Sequence, residues 1–185
     1  LVGVSEAMEL TVTDPDLMHA AVEKSAAFLT EYVKAFRAAG ADGVLMAEPA
    51  AGLLSPRAMI TYSSSYIRHI GAAVADDHFA LILHNCAAKL LHLPAILETG
   101  LETFHFGAPM DLPAALAKVP GHVVLCGNLD PAGVFCQLPP EQVTVHANAQ
   151  LAITAGHRNY VLSSGCDVPA RAPLAYCPRS CWAIG

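Results

Sequence analysis

The sequence predicts a parallel α/β fold in one domain, on three observations. Helix-like and strand-like segments alternate strictly, with five strands among them. Apolar residues make up 54% of the chain and charged residues only 14%, the balance of a well-buried α/β protein and not of a disordered one. The 185 residues suffice for one domain with a real core, and no linker, low-complexity stretch or short repeat divides them, so residues 1–185 read as a single domain.

Asp14-Pro15 opens a helix over Asp16 to Ala39, with Leu17, Ala21, Phe28, Val33 and Phe36 near helical spacing and Gly40 as the residue that ends it. Gly43 to Ala47 reads as a buried strand, followed by a loop through Glu48 and Pro49. Ser55-Pro56 starts a second helix running to about Ala75, with proline at its first position. Phe79 to Leu83 is the next strand and ends at His84. A helix over Leu90 to Glu98 is closed by Gly100, and Glu102 to Phe106 is a weaker strand. Leu112 to Ala117 is a short helix, and Val123 to Cys126 a strand ending at Gly127-Asn128. Pro140 to Ala155 is helical, capped by Gly156, and Tyr160 to Leu162 is the last strand, running into Ser163-Ser164-Gly165-Cys166. Alternation of this kind predicts a parallel sheet with right-handed crossovers. An open doubly wound sheet and part of a (β/α)8 barrel both fit. A complete barrel needs roughly 250 residues, so the chain can hold only part of one.

The bulk numbers also exclude partners. Net charge is −6, and the ten Lys and Arg are scattered singly, with no stripe suited to nucleic acid and no polybasic membrane anchor. The longest apolar runs are strand-sized, far below the ~18 residues of a membrane span. Without a recognisable signal peptide, the expectation is a cytoplasmic protein. Its six cysteines then read as thiols, some of them ligands, rather than as a disulfide framework.

Three residues stand out chemically. His84 and Cys86 are two apart, so their side chains point the same way if extended backbone continues past the strand. They fall at the carboxyl end of a parallel strand, the edge where ligands bind in α/β sheets and barrels. Cys166 falls at the equivalent place after a later strand. One imidazole nitrogen and two thiolates suit Zn2+, and three protein ligands leave the fourth tetrahedral position open, the arrangement of a catalytic site.

Leu83-His84-Asn85-Cys86, Gly127-Asn128-Leu129-Asp130-Pro131, and Leu162 to Pro169 resemble the uroporphyrinogen decarboxylase superfamily. Within it they are most similar to the zinc-dependent methylcobalamin:coenzyme M methyltransferases. Gly40-Ala41-Asp42-Gly43 also fits the family's G-A-D before a strand. The resemblance implies a (β/α)8 TIM-barrel fold of which this chain covers roughly the C-terminal half, the rest coming from a missing segment or another chain. It implies zinc held by His84, Cys86 and Cys166. It makes Glu48 a fourth zinc ligand that an incoming thiol displaces, where spacing alone leaves a solvated loop carboxylate equally open. Asn128 and Asp130 are expected to shape a loop or hold a ligand by hydrogen bonds, and His105 to be structural or to line the site. Asp167 is expected to support the zinc ligands or cap a helix. The chain departs from the family at Ala87, where a glycine usually follows the H-x-C cysteine, and in its tail, where Cys177 and Cys181 read as thiols separated by Pro178. Cys126 and Cys136 read as buried or loop thiols.

The activity implied is methyl transfer between methylcobalamin, carried by a corrinoid protein, and a small thiol such as coenzyme M. The alternatives are a metal-free decarboxylase acting on a porphyrinogen, and a truncated chain that binds metal without turning over.

Overall fold

Asp14 starts the long helix as its position predicts. Its carboxylate accepts from Leu17 N–H at 3.1 Å, and Pro15 follows at the first helical position. The helix, α2 (Pro15–Ala38), closes in a Schellman turn: Ala41 N–H donates to Phe36 O at 3.1 Å and Gly40 N–H to Arg37 O at 3.0 Å, with Gly40 at φ 91°. A shorter helix that the periodicity did not announce, α1 (Val4–Thr13), precedes it.

The computed structural model describes residues 2–74 and 78–173. Its strands are β1 (Gly43–Ala47), β2 (Ala80–Asn85), β3 (Thr103–Phe106), β4 (Val124–Leu129) and β5 (Tyr160–Ser164). Between β1 and β2 lie a 3-10 turn (Pro49–Leu53), α3 (Pro56–Met59), a π-helical segment (Ile60–Ser64) and α4 (Ser65–Val74). The helix expected over Leu90 to Glu98 is a 3-10 turn (Leu90–His92) followed by α5 (Leu93–Leu97); Pro94, inside the segment, can be accommodated at the start of a helix but not in its interior. Then come α6 (Leu112–Leu116) and α7 (Pro140–Thr154). Three strands run further than their apolar runs indicated: β2 takes in His84 and Asn85, β4 takes in Asn128, and β5 takes in Ser163 and Ser164. Backbone pairing with neighbours continues after hydrophobicity stops. Gly156, expected to cap α7, has no positive φ. The expected helix end at Ala75, and Cys177, Pro178 and Cys181, lie outside the described residues.

The five strands form one sheet in the order β1-β2-β3-β4-β5, each pair parallel. A doubly wound sheet reverses its strand order at a switch point. This sheet does not, so it is the arc of a (β/α)8 barrel. Register places Met46, Leu83, Phe104, Leu125 and Tyr160 in one row. Leu83, Phe104 and Leu125 in that row are buried against Met59, Ile67, Leu93, Ile96, Leu112 and Leu116 of the helical layer. A second cluster, Val33, Ile70, Val74 and Phe79, packs α2 and α4 over the β1 end. The opposite face carries Ala47, His84, His105, Cys126 and Val161, again one row by register. Its edges are bare: Leu45 is 53% exposed and Val161 50%. Among the described residues no helix is long and apolar enough to cross a membrane.

Phe104 is fully buried, whereas Phe28 on α2 is 67% exposed. Phe104→Ala should therefore destabilise the chain by about 3–5 kcal/mol, and Phe28→Ala by no more than ~0.5 kcal/mol. Urea denaturation of the two variants measures both, and equal losses would contradict this packing.

Candidate metal centre

Parallel register brings β2 and β3 together so that His84 lies beside His105. Two residues on, Cys86 continues on the same face as His84. Cys166 arrives from the turn after β5, which is pinned to the sheet by Gly165 N–H donating to Leu129 O at 2.7 Å and by Ser164 Oγ–H donating to Cys166 O at 2.8 Å. One ligand atom each from His84, Cys86 and Cys166 lies within 4.8 Å of the other two. His84 Nε2 faces Cys166 Sγ at 3.6 Å. His84 is buried and both cysteines are half-buried. Burial, and then the neighbouring Cys166, push the Cys86 thiol above its ordinary range. A nitrogen and two sulfurs at this separation suit a divalent, borderline-soft cation. The fold thus brings the side chains of His84, Cys86 and Cys166 together.

Two glycines make the approach possible. A Cβ on Gly107, just past β3, would collide with the carbonyl oxygen of Cys86 and sit 2.7 Å from its Cα. A Cβ on Gly165 would stand 2.9 Å from Ala108 N and 3.1 Å from Gly107 Cα. Only glycine at both positions lets the turns after β2, β3 and β5 stack. Sequence reasoning passed over Gly107, because nothing local marks a glycine that is needed by a strand twenty residues away.

Glu48 takes a different place from the one expected of it. Its backbone extends the β1–β2 ladder, N–H donating to His84 O at 3.0 Å. Its carboxylate accepts from Ser63 Oγ, held by the π-helical segment, and it is not among the three grouped ligands. Burial pushes its carboxyl up to about 7, against the opposing pull of the Ser63 hydroxyl and the Asn85 amide. Asn128 and Asp130 shape loops. Asn128 Nδ2 donates to Gly107 O at 3.0 Å and to Met110 O at 2.7 Å, and Asp130 accepts from Ala132 and Gly133 N–H at 2.9 Å each. His105 lies against His84, ring centroids 4.7 Å apart. Burial and His84 hold its pKa below the ordinary histidine value. No helix follows Asp167 among the described residues, so it caps none. Cys126 sits in the inner row beside His105, and Cys136 Sγ points to Pro131 O at 3.6 Å.

The family model for uroporphyrinogen decarboxylase (URO-D) matches residues 1–178. The chain belongs to that family. It is 30% identical over 154 residues to uroporphyrinogen decarboxylases from Burkholderia thailandensis and from Burkholderia pseudomallei, a stretch covering 82% of this chain and 42% of each relative. A methyltransferase from Methanosarcina mazei superposes with a TM-score of 0.83 at 22% identity, covering 95% of this chain and 51% of that one. This URO-D chain thus spans about half the length of its relatives or less, and its fold is part of a (β/α)8 barrel.

Two predictions follow from the geometry. A Gly107→Ala variant should weaken zinc binding about tenfold or more by pushing Cys86 out of line; competition titration against a chromogenic chelator reads this, and unchanged affinity would refute the packing account. Glu48 concerns pH. An acid raised from 4.5 to about 7 binds its proton more tightly when folded, so the native state holds more protons between those values and stability falls as pH rises through them. Glu48→Gln should lack that fall, separating the two proteins by at most about 3 kcal/mol above neutrality. Urea midpoints that stay parallel from acid to alkaline pH would contradict it.

Proposed function

We propose that this chain is the zinc-binding half of a methyltransferase barrel that moves a methyl group between a corrinoid, carried by a partner protein, and the sulfur of a small thiol such as coenzyme M. The observation that carries the reading is the convergence of one imidazole nitrogen and two thiol sulfurs within 4.8 Å of one another at the carboxyl-end edge of a parallel sheet. Donors of this kind are what a metal-assisted thiol chemistry needs, and decarboxylation has no use for them.

His84 Nε2 and the sulfurs of Cys86 and Cys166 would hold the ion and leave a fourth position for the substrate. When bound, zinc lowers the pKa of a substrate thiol so that a thiolate exists at neutral pH. Cys86 and Cys166 would supply two anionic sulfur ligands to that ion, favouring a bound thiolate that keeps its nucleophilicity. The corrinoid would supply the methyl group, and the thiol, losing its proton to solvent, would receive it. Glu48 stays with Ser63 in this reading; as a fourth ligand it would first have to leave that hydroxyl. Asn128 and Asp130 hold the loop walls, and the small side chain at Ala47 leaves room on the inner face.

The exposed edges at Leu45 and Val161 support completion of the barrel by further strands, from more of this polypeptide or from another. Free thiols at Cys86, Cys126, Cys136 and Cys166 are consistent with a cytoplasmic setting. The rival reading, a metal-free decarboxylase acting on a porphyrinogen, draws on the identity to the Burkholderia enzymes.

Zinc stoichiometry separates the two. The purified chain should hold about one zinc, and Cys86→Ser and Cys166→Ser should each reduce occupancy at least about tenfold. Full occupancy in both variants would sink the site. Loss of methylcobalamin absorbance with thiol present, using a barrel completed by its other half, reads the transfer; porphyrinogen decarboxylation by zinc-free protein would favour the rival.

A further inference from the structure

Behind His84, on the side away from the thiols, a line of hydrogen-bonding groups runs across three strands. His84 Nδ1 lies 2.6 Å from His105 Nδ1 and 3.2 Å from the His105 carbonyl oxygen. His105 Nε2 lies 2.9 Å from Ser163 Oγ. Ser163 Oγ–H in turn donates to Ser164 O at 3.0 Å. The line begins on backbone of β5, passes through β3 and ends on β2.

The direction of the protons along it follows from counting donors. The Ser163 hydroxyl proton is committed to Ser164 O, so Ser163 Oγ faces His105 as an acceptor. His105 Nε2 therefore carries the proton, and in a neutral ring His105 Nδ1 is then a lone pair. A lone pair 2.6 Å from His84 Nδ1 requires the proton on His84 Nδ1, where the His105 carbonyl also receives it. Neutral His84 is left with its lone pair on Nε2, the nitrogen that faces Cys166 Sγ at 3.6 Å. Reversing any one step leaves two protons or two lone pairs facing each other in a half-buried site, at a cost of about 1–3 kcal/mol.

We propose that His105, backed by Ser163, is a positioning residue: it fixes the tautomer and ring orientation of His84 so that Nε2 is presented, unprotonated, toward the two thiol sulfurs. The purpose rests on the metal reading above; the tautomer does not. His105 is not itself a ligand, since both of its ring nitrogens are engaged and it falls outside the group of three. The arrangement also accounts for the serine at position 163. Its side chain is half-buried, and its oxygen is the acceptor at the His105 Nε2 end of the line, while the His105 carbonyl accepts at the His84 end. The consequence for binding is that the imidazole need not lose a proton or rotate when an ion arrives, so less of the binding free energy goes into reorganisation.

The test uses the full chain, stripped of metal with a chelator, and variants His105→Ala, His105→Gln and Ser163→Ala. The first readout needs no metal: the 15N chemical shifts of the His84 ring at about pH 8, where imidazole is neutral. Wild type should show Nδ1 protonated and Nε2 bare. His105→Ala should move His84 toward a mixture of tautomers, and His105→Gln, whose side-chain oxygen can accept from Nδ1–H, should restore the wild-type pattern. The second readout is Co2+ and Zn2+ titration. His105→Ala should bind about 10–100-fold more weakly, with altered cobalt d–d bands but the thiolate-to-cobalt charge-transfer band retained; Ser163→Ala should lie between it and wild type, and His105→Gln near wild type. If wild-type His84 carries its proton on Nε2, or if His105→Ala keeps both the wild-type shifts and the wild-type affinity with an unchanged circular dichroism spectrum, the proposal is overturned. A wild-type chain with the predicted tautomer and no affinity for either ion would overturn the metal reading and leave the positioning role standing. Should His105→Ala fail to fold, Ser163→Ala and His105→Gln carry the comparison, and identical shifts and affinities in Ser163→Ala and wild type overturn it.

Discussion

Parallel register between β1 and β5 is the constraint on which the rest of the molecule depends. Strands that pair in sequence order with helical connections put every helix on one side and align equivalent positions in rows. One row, through Leu83, Phe104 and Leu125, is buried under the helices and supplies the hydrophobic free energy. The row one residue on, from Ala47 through His84, His105 and Cys126 to Val161, faces the other way. A slip of one residue between β2 and β3 would exchange the two, burying His105 and exposing Phe104. The apolar row therefore specifies the register, and the register positions the polar row.

Bringing the three donors together on that frame has an electrostatic cost. Two thiolates no more than 4.8 Å apart would repel by at least about 3 kcal/mol at an effective dielectric of 20. Burial adds to it, which is why the Cys86 thiol resists ionisation. A divalent ion would offset that repulsion. The chain contributes rigidity instead of charge: Gly107 and Gly165 let the turns stack, Asn128 ties down the turn after β3, and Leu129 O anchors the turn that carries Cys166. Glu48, with its carboxyl turned to Ser63, is a separate buried acid behind the strand end.

An arc of five strands leaves two edges exposed, at Leu45 and Val161. Other large apolar side chains face solvent on α1 and α2, among them Val12, Leu17, Phe28 and Tyr32, and on α7, where Val145, Leu151 and Ile153 do so. A parallel sheet is stable when both faces are covered. The described helices cover the outer face, and the inner face is the wall of a partial (β/α)8 barrel. This agrees with a chain that spans 42% of its Burkholderia relatives.

The alternation of elements and the long α2 with its Asp14 cap and Gly40 terminus were legible in local periodicity and capping chemistry; His84 and Cys86 were paired by their spacing along one strand, and Cys166 was joined to them by its place at another strand end and by the family resemblance. Strand ends were legible only approximately: β2, β4 and β5 continue through polar residues, since their pairing partners and not their own hydrophobicity decide where they stop. Three things were decided only in three dimensions. Strand order chose a barrel arc over a doubly wound sheet, a choice no single βα unit contains. Contacts across strands gave Gly107 its necessity and joined His105 and Ser163 to His84, residues 21 and 58 positions apart in the two hydrogen bonds that link them. A π-turn in the helix after β1 put Ser63 beside the Glu48 carboxylate. The sequence by itself determined which groups could bind a metal; tertiary structure decided how they are oriented, because orientation depends on neighbours that the chain reaches only after crossing the sheet.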